Sequence, residues 1–293
     1  MKVKGFRIPL VLSLLLLSLA GCISISRTRV IPQNQRLLPA KTATKDELLK
    51  SLEEKSKQVH TLKGTVTMDV SGGGSQSGVL TEYRQTTGYV LVDRPENIRI
   101  KVLAPIVAST VFDMVSVGRQ YRVSIPVKNQ FAVGNVDQPI NSKSPIASLR
   151  PQHLLDGLFV DITPYLEKPE VKYSFSEQIE GQRSYYVFTF IDASAQGQEV
   201  RTLEKLWIDR NDDLEVARKQ IFRADGRIET DVQYSNYHNE DGMRFPEIVV
   251  IQRPVEDYTL KMTFQKTALN NRLPDNAFDL ERPQGSELVQ LAH

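Results

Sequence analysis

Few residues in this 293-residue chain have the type and spacing for chemistry. Cys22 is the one cysteine, and it follows Leu19-Ala20-Gly21 at the end of a leucine run. It has no partner for an internal disulfide. The four histidines, His60, His153, His238 and His293, stand at no metal-ligand spacing. Asp209, Asn211 and Asp213 alternate like calcium ligands, but the glycine and closing glutamate of an EF-hand are missing. They read as a polar hairpin tip. No Gly-x-Ser-x-Gly elbow and no Ser-x-x-Lys with its usual companions is present. Asp192, Glu199 and Glu204 lie near one loop and read as the solvated carboxylates expected at turns. Gly72-Gly73-Gly74-Ser75 joins two strand patterns, whereas a phosphate loop leads into a helix. The sequence therefore predicts no enzyme, no metal and no cofactor.

The segment before Cys22 explains its position. Lys2, Lys4 and Arg7 form a positive start, Ile8 to Leu19 an apolar run, and Ala20-Gly21 a small-residue cut site. The run is about 12 residues, against about 20 for a span. Leu-Ala-Gly-Cys resembles the lipobox of the lipoprotein signal peptidase family. The resemblance implies that residues 1–21 are removed and that Cys22 is acylated, with a diacylglycerol on sulfur and a third chain on its amine. Two or more chains anchor stably. Ile23-Ser24 follow, without the aspartate that retains enterobacterial lipoproteins in the inner membrane, so the implied location is the outer membrane, facing the periplasm. The chain has 37 basic and 35 acidic residues. Loss of the leader leaves 34 basic against 35 acidic, which gives no basic excess for nucleic acid.

The elements follow from periodicity. Residues 22–43 are polar and irregular, with Pro32 and Pro39, and read as a flexible tether spanning roughly 25 Å. Thr44-Lys45-Asp46-Glu47 fits a capping box and opens an amphipathic helix to about Thr61. From Lys63 the period becomes 2, with Val66, Met68 and Val70 alternating with polar residues. Similar strands recur to Gln265, separated by turn signals such as Asp225-Gly226 and Asp241-Gly242. Ser144 to Leu158 interrupts them as a helical passage. The expected fold is α+β, with one domain over 44–293. An antiparallel sheet of about eleven strands curls into a half-open barrel, lidded by the N-terminal and internal helices.

Three stretches carry a resemblance to the lipoprotein carrier and receptor family of the Lol pathway, LolA and LolB. They are Arg94 to Ile100 with Ala104-Pro105-Ile106; Leu206-Trp207-Ile208-Asp209 with Asp225-Gly226; and Lys261 to Phe264 with Leu273-Pro274, Phe278 and Pro283-Gln284-Gly285. The resemblance implies a half-barrel that holds acyl chains of lipids or lipoproteins. It also implies a projecting apolar turn that faces the membrane, here Pro105, Ile106 and Val107; the alternative for these three residues is an ordinary strand connection packed on the core. The chain departs from the receptor in its greater length and in the β-branched Ile106-Val107 of that turn. The candidate cavity lining is Met68, Ile100, Val102 and Val111 on the first strands, Phe188 and Phe190 in the middle, and Leu260, Met262 and Phe264 on the last. Cargo would be acyl chains or lipoproteins, with a periplasmic carrier or envelope protein as a further partner. The competing reading is a structural or envelope-stress sensing module, with its interior filled by its own side chains, that binds a protein partner.

Overall fold

The computed structural model describes residues 29–73, 78, 80–136, 150–193 and 200–290. The chain divides into two units, residues 1–36 and 37–293. The described part of the first holds one 3-10 turn, Gln33–Gln35, with Arg36 Nε donating to the Ile31 carbonyl at 2.9 Å. Cys22 and the leader lie outside the described residues.

The second unit opens on backbone bonds from Leu38 N to Gln182 O and from Lys41 N to Arg210 O. Ordered contacts therefore begin before Thr44. Helix α1 (Lys45–Gln58) starts with the expected capping box. Thr44 Oγ1 accepts from Glu47 N, and the Glu47 carboxylate accepts from Thr44 N at 2.7 Å. Leu48 and Leu52 form its buried face. The strands are β1 (Thr61–Gly72), β2 (Thr81–Asp93), β3 (Asn97–Leu103), β4 (Thr110–Val117), β5 (Gln120–Ile125), β6 (Gln130–Asn135), β7 (Val171–Glu180), β8 (Arg183–Asp192), β9 (Arg201–Asp209), β10 (Glu215–Phe222), β11 (Ile228–Glu240), β12 (Met243–Arg253), β13 (Tyr258–Leu269) and β14 (Glu287–Gln290). Between β6 and β7 lie α2 (Pro151–Leu158) and the single turn α3 (Thr163–Leu166).

All fourteen strands form one sheet, in the order β14-β6-β5-β4-β3-β2-β1-β13-β12-β11-β10-β9-β8-β7. The count corrects the expected eleven or so. β6 is a short strand with little alternation, and β14 pairs with β6 in parallel, a long-range pairing with no local turn signal. Every other pairing is antiparallel.

The curl can be derived from α2. This helix packs against β3 and β4 and also against β11 and β12. Six strand spacings separate β4 from β11, about 29 Å in a flat sheet. An eight-residue helix is about 12 Å long. The sheet must therefore wrap around the helix. Among the described residues it stays open, with β14 and β7 as its two edge strands.

Alternation gives the wall an inner row and an outer row. Phe188, Leu206, Lys219, Val232, Ile251, Leu260 and Val70 are register partners in sequence across the strands from β8 to β1. This inner row faces the core. The neighbouring row, Val187, Trp207, Arg218, Gln233, Val250 and Lys261, faces outward. The register is fixed, because a slip by one residue would exchange the two rows.

Candidate functional site

The site is the interior of the curl. Eight of the nine candidate lining residues, Met68, Ile100, Val102, Phe188, Phe190, Leu260, Met262 and Phe264, are buried in one core cluster. Val111 packs on it half-buried, at the bulge where Val102 pairs with Phe112 and Leu103 with Thr110. Met68 faces Met262, and Val70 faces Leu260, across β1 and β13. Phe188 and Phe190 sit five strands from β13, in an aromatic group with Tyr165, Tyr173 and Phe175.

Helix α2 and the residues after it fill the space between these walls. Leu154, Leu155, Leu158 and Ile162 are buried in the same cluster. The fit is tight at Gly157, where an added Cβ would lie 2.3 Å from Ile251 Cδ1. Lys219, from the inner row of β10, donates to the main-chain oxygens of Asp156 and Phe159 at the end of α2. It thereby satisfies carbonyls that the helix leaves without partners. Arg94 donates to Ser56 O and Val59 O at the end of α1 and to Asp161 at 3.1 Å, which ties both helical segments to the β2–β3 turn. A half-open pocket of about 90 Å³ lies under α1, between Leu52, Leu158, Val216 and Phe245.

The interior also holds ionisable groups that the sequence reading placed elsewhere. Glu204 was expected at an exposed turn. It is buried instead, because its β9 position pairs with Phe190 and Ile221 on the inner face. Burial pushes its carboxyl up to about 7, against the opposing pull of Lys219 and of the Tyr165 hydroxyl at 3.2 Å. Among the described residues its Oε1 has no hydrogen-bond partner, and neither has the buried Tyr234 hydroxyl. Burial also raises Tyr165 and Tyr234 above the ordinary tyrosine range. Asp192 pairs with Arg201 at 3.0 Å, and Glu199 lies outside the described residues.

His153 of α2 lies with Glu229 and Glu256 in a group compact enough for a metal ion. The Arg253 guanidinium is already there, 2.9 Å from His153 Nε2, 2.7 Å from Glu256 and 3.4 Å from Glu229. Arginine only donates, so Nε2 accepts and the ring is neutral. Burial, followed by the Arg253 and Arg150 charges, pushes His153 down to about 2. The cluster is thus an ion pair organised around a buried arginine. Asp209, Asn211 and Asp213 form the turn expected of them. Asp209 pairs with Arg183 and accepts from Asn211 N at 2.8 Å, and Asp213 pairs with Lys41.

The Pro105–Val107 turn projects from the β3–β4 connection. Ile106 is 104% exposed and Val107 71%. Val107 N bonds to Pro105 O at 2.9 Å around Ile106 at φ +74°, and Ala108 follows at φ +50°. A γ-turn with positive central φ is strained, the more so for a β-branched residue. The antiparallel register puts this turn at the end of the sheet opposite Leu38, which bonds beside the β7–β8 turn. Among the described residues no helix is long and apolar enough to cross a membrane.

No family model and no curated protein matches the chain. Solved structures do. A DUF1329 family protein from Desulfovibrio piger is 12% identical, with TM-score 0.52 over 80% of this chain and 95% of that one. A LolA superfamily protein from Nitrosomonas europaea is 14% identical, with TM-score 0.49 over 82% and 99%. A putative outer membrane lipoprotein-sorting protein domain from Vibrio parahaemolyticus is 10% identical, with TM-score 0.49 over 80% and 95%. What the chain shares with the Desulfovibrio piger protein is its fold, a curled, unclosed antiparallel sheet with a helical lid.

Proposed function

We propose that this chain is a lipid-anchored protein of the bacterial outer membrane that takes acyl chains of lipids or lipoproteins into the curl of its sheet. One observation carries the reading: the short helix α2 and the residues just after it fill the interior with aliphatic side chains. Leu154, Leu155, Leu158 and Ile162 together bring about as many side-chain carbons as one common fatty-acyl chain. Ligand pockets generally need about 300 Å³ or more, and the space between the walls is occupied by these side chains, with Gly157 packed directly on Ile251. Cargo therefore enters by displacing α2. Each acyl methylene buried contributes about 0.8 kcal/mol, which offsets the exposure of the leucines it replaces. The nine lining residues would contact the chain. Cys22 would hold the domain at the membrane, and Ile106 and Val107 would meet the lipid during transfer.

Native mass spectrometry of protein extracted gently from its own membranes tests this. Bound acyl mass, or uptake of an added fatty acid, is the expected result. An interior that stays empty under both conditions rules it out. The close packing of α2 at Gly157 favours one competing reading, in which α2 never leaves and the domain is a structural or sensing module for a protein partner. Crosslinking in membranes would then return one dominant protein and no lipid.

A further inference from the structure

The ladder between β10 and β11 stops halfway. It runs from Phe222↔Ile228 to Arg218↔Gln233, although β10 extends back to Glu215 and β11 on to Glu240. β12 likewise leaves β13 beyond Ile248↔Thr263, while its first residues stay paired with β11. The outer half of the β11–β12 hairpin thus peels away from both neighbours. A seam opens between residues 215–217 and 234–237.

A cleft of about 420 Å³ lies at this seam on the outer face, flanked by Trp207, Arg218, Gln233 and Val250. The half-open pocket under α1, which reaches the core residues Leu52, Leu158 and Phe245, adjoins it. Glu215, Val216, Tyr234 and Tyr237 line both. The two spaces are therefore separated by a few side chains, with no backbone ladder between them. Tyr237 closes the gap by donating its hydroxyl to Val216 O at 2.9 Å. Beside it stands the buried Tyr234 hydroxyl, without a hydrogen-bond partner among the described residues. Buried polar groups normally have one, so a group arriving here gains by supplying it.

We propose that the β10–β11 seam binds a single-chain amphiphile with an uncharged, hydroxyl-bearing head. The head sits in the outer cleft, and the chain passes between Val216 and Tyr237 into the interior. The inference rests on the acyl-binding reading and adds the route and the head chemistry. The cleft volume falls in the range of ligand sites. Its cations already have partners: Arg183 pairs with Asp209 and Arg218 with Asp231. Asp212 pairs with Arg244 at 3.4 Å, and Glu180 adds further negative charge, which disfavours an anionic head. Gln233, Ser235 and Asn236 supply neutral hydrogen-bonding groups, and Trp207 supplies a ring.

Trp207 is the only tryptophan in the chain, so its fluorescence reports on the cleft. The full chain, held in lipid nanodiscs, is titrated with a long-chain alkyl glucoside brominated either beside the sugar or at the far end of the chain. Native mass spectrometry scores binding in parallel. The expected result is loss of Trp207 fluorescence with bromine beside the sugar and little loss with bromine at the far end. Tyr237→Phe, which keeps the ring and removes the bridge to Val216, should speed the onset. Binding with no quenching, with equal quenching by both probes, or with no effect of Tyr237→Phe overturns the seam and leaves the interior reading standing. Equal competition by an alkyl phosphate of the same chain length overturns the head assignment. Absence of glucoside binding while a fatty acid is still taken up overturns the seam alone, and absence of both overturns both.

Discussion

The Lys219 ammonium lies 2.9 Å from the main-chain oxygen of Phe159 and also bonds Asp156 O. One side chain of β10 thus holds the C-terminal end of α2, which carries the partial negative charge of the helix. Lys219→Met keeps the length and removes the charge. Charge-assisted hydrogen bonds contribute about 1.5–3 kcal/mol, so α2 should open more readily by roughly 2 kcal/mol. Amide exchange over residues 151–158 should accelerate more than exchange in β1 and β13. Equal acceleration everywhere would mean that Lys219 supports the whole sheet and does not act on the helix.

Two buried groups give the fold opposing pH dependences. The Glu204 carboxyl is raised from 4.5 to about 7. The folded state therefore holds this proton more tightly than the unfolded chain, and the contribution is complete below about pH 4.5 and lost by about pH 7. At most it amounts to roughly 3 kcal/mol. His153 is lowered from 6.5 to about 2, so its contribution is complete above about pH 6.5 and declines as the pH falls toward 2. In urea titrations Glu204→Gln should abolish the loss of stability between pH 5 and 7, while His153→Gln should flatten the acid side. Parallel curves for Glu204→Gln and wild type would show that Glu204 titrates normally.

The contact between Gly157 and Ile251 sets how closely α2 sits on β12. A Cβ at residue 157 would meet Ile251 Cδ1 at 2.3 Å and Cγ1 at 2.8 Å. Overpacking of this kind costs about 1–3 kcal/mol. Gly157→Ala should destabilise by that amount, and adding Ile251→Val should recover part of it. A double-mutant cycle in denaturant measures the coupling, and strictly additive effects would contradict the close approach.

Ile106 separates stability from delivery. It combines full exposure with a φ of +74°, a conformation that costs a non-glycine residue roughly 1–2 kcal/mol. Ile106→Gly should leave stability unchanged or raise it by up to about 1 kcal/mol. If the turn meets lipid, the same variant should transfer acyl cargo to liposomes more slowly. Unchanged transfer would reduce the turn to a connection between β3 and β4.

Much of the architecture was legible in local patterns. The Thr44–Glu47 capping box marked the start of α1, and period-2 alternation marked Met68, Met262 and their neighbours as one buried face. The turns at Gly181, Gly226 and Gly242 adopt the positive φ expected of glycine there. Long-range features were not legible. β14 reaches β6 across the chain, and the polar strand ends of β11 and β12 extend beyond their apolar centres. Glu204 was misplaced because it follows a polar loop and stands among Arg201, Thr202 and Lys205, so it reads as a solvated carboxylate. Only the register with Phe190 and Ile221 puts it inside. The His153–Arg253 contact joins residues 100 positions apart, which no spacing rule detects.

The central claim is that cargo replaces α2 inside the sheet. Hydrogen exchange over residues 151–158, with and without a saturating long-chain fatty acid, tests it most directly. The predicted result is that the bound ligand strips protection from α2, while β1, β12 and β13 keep or gain theirs. If α2 stays equally protected when the ligand is bound, the interior is a permanent core and the claim is wrong.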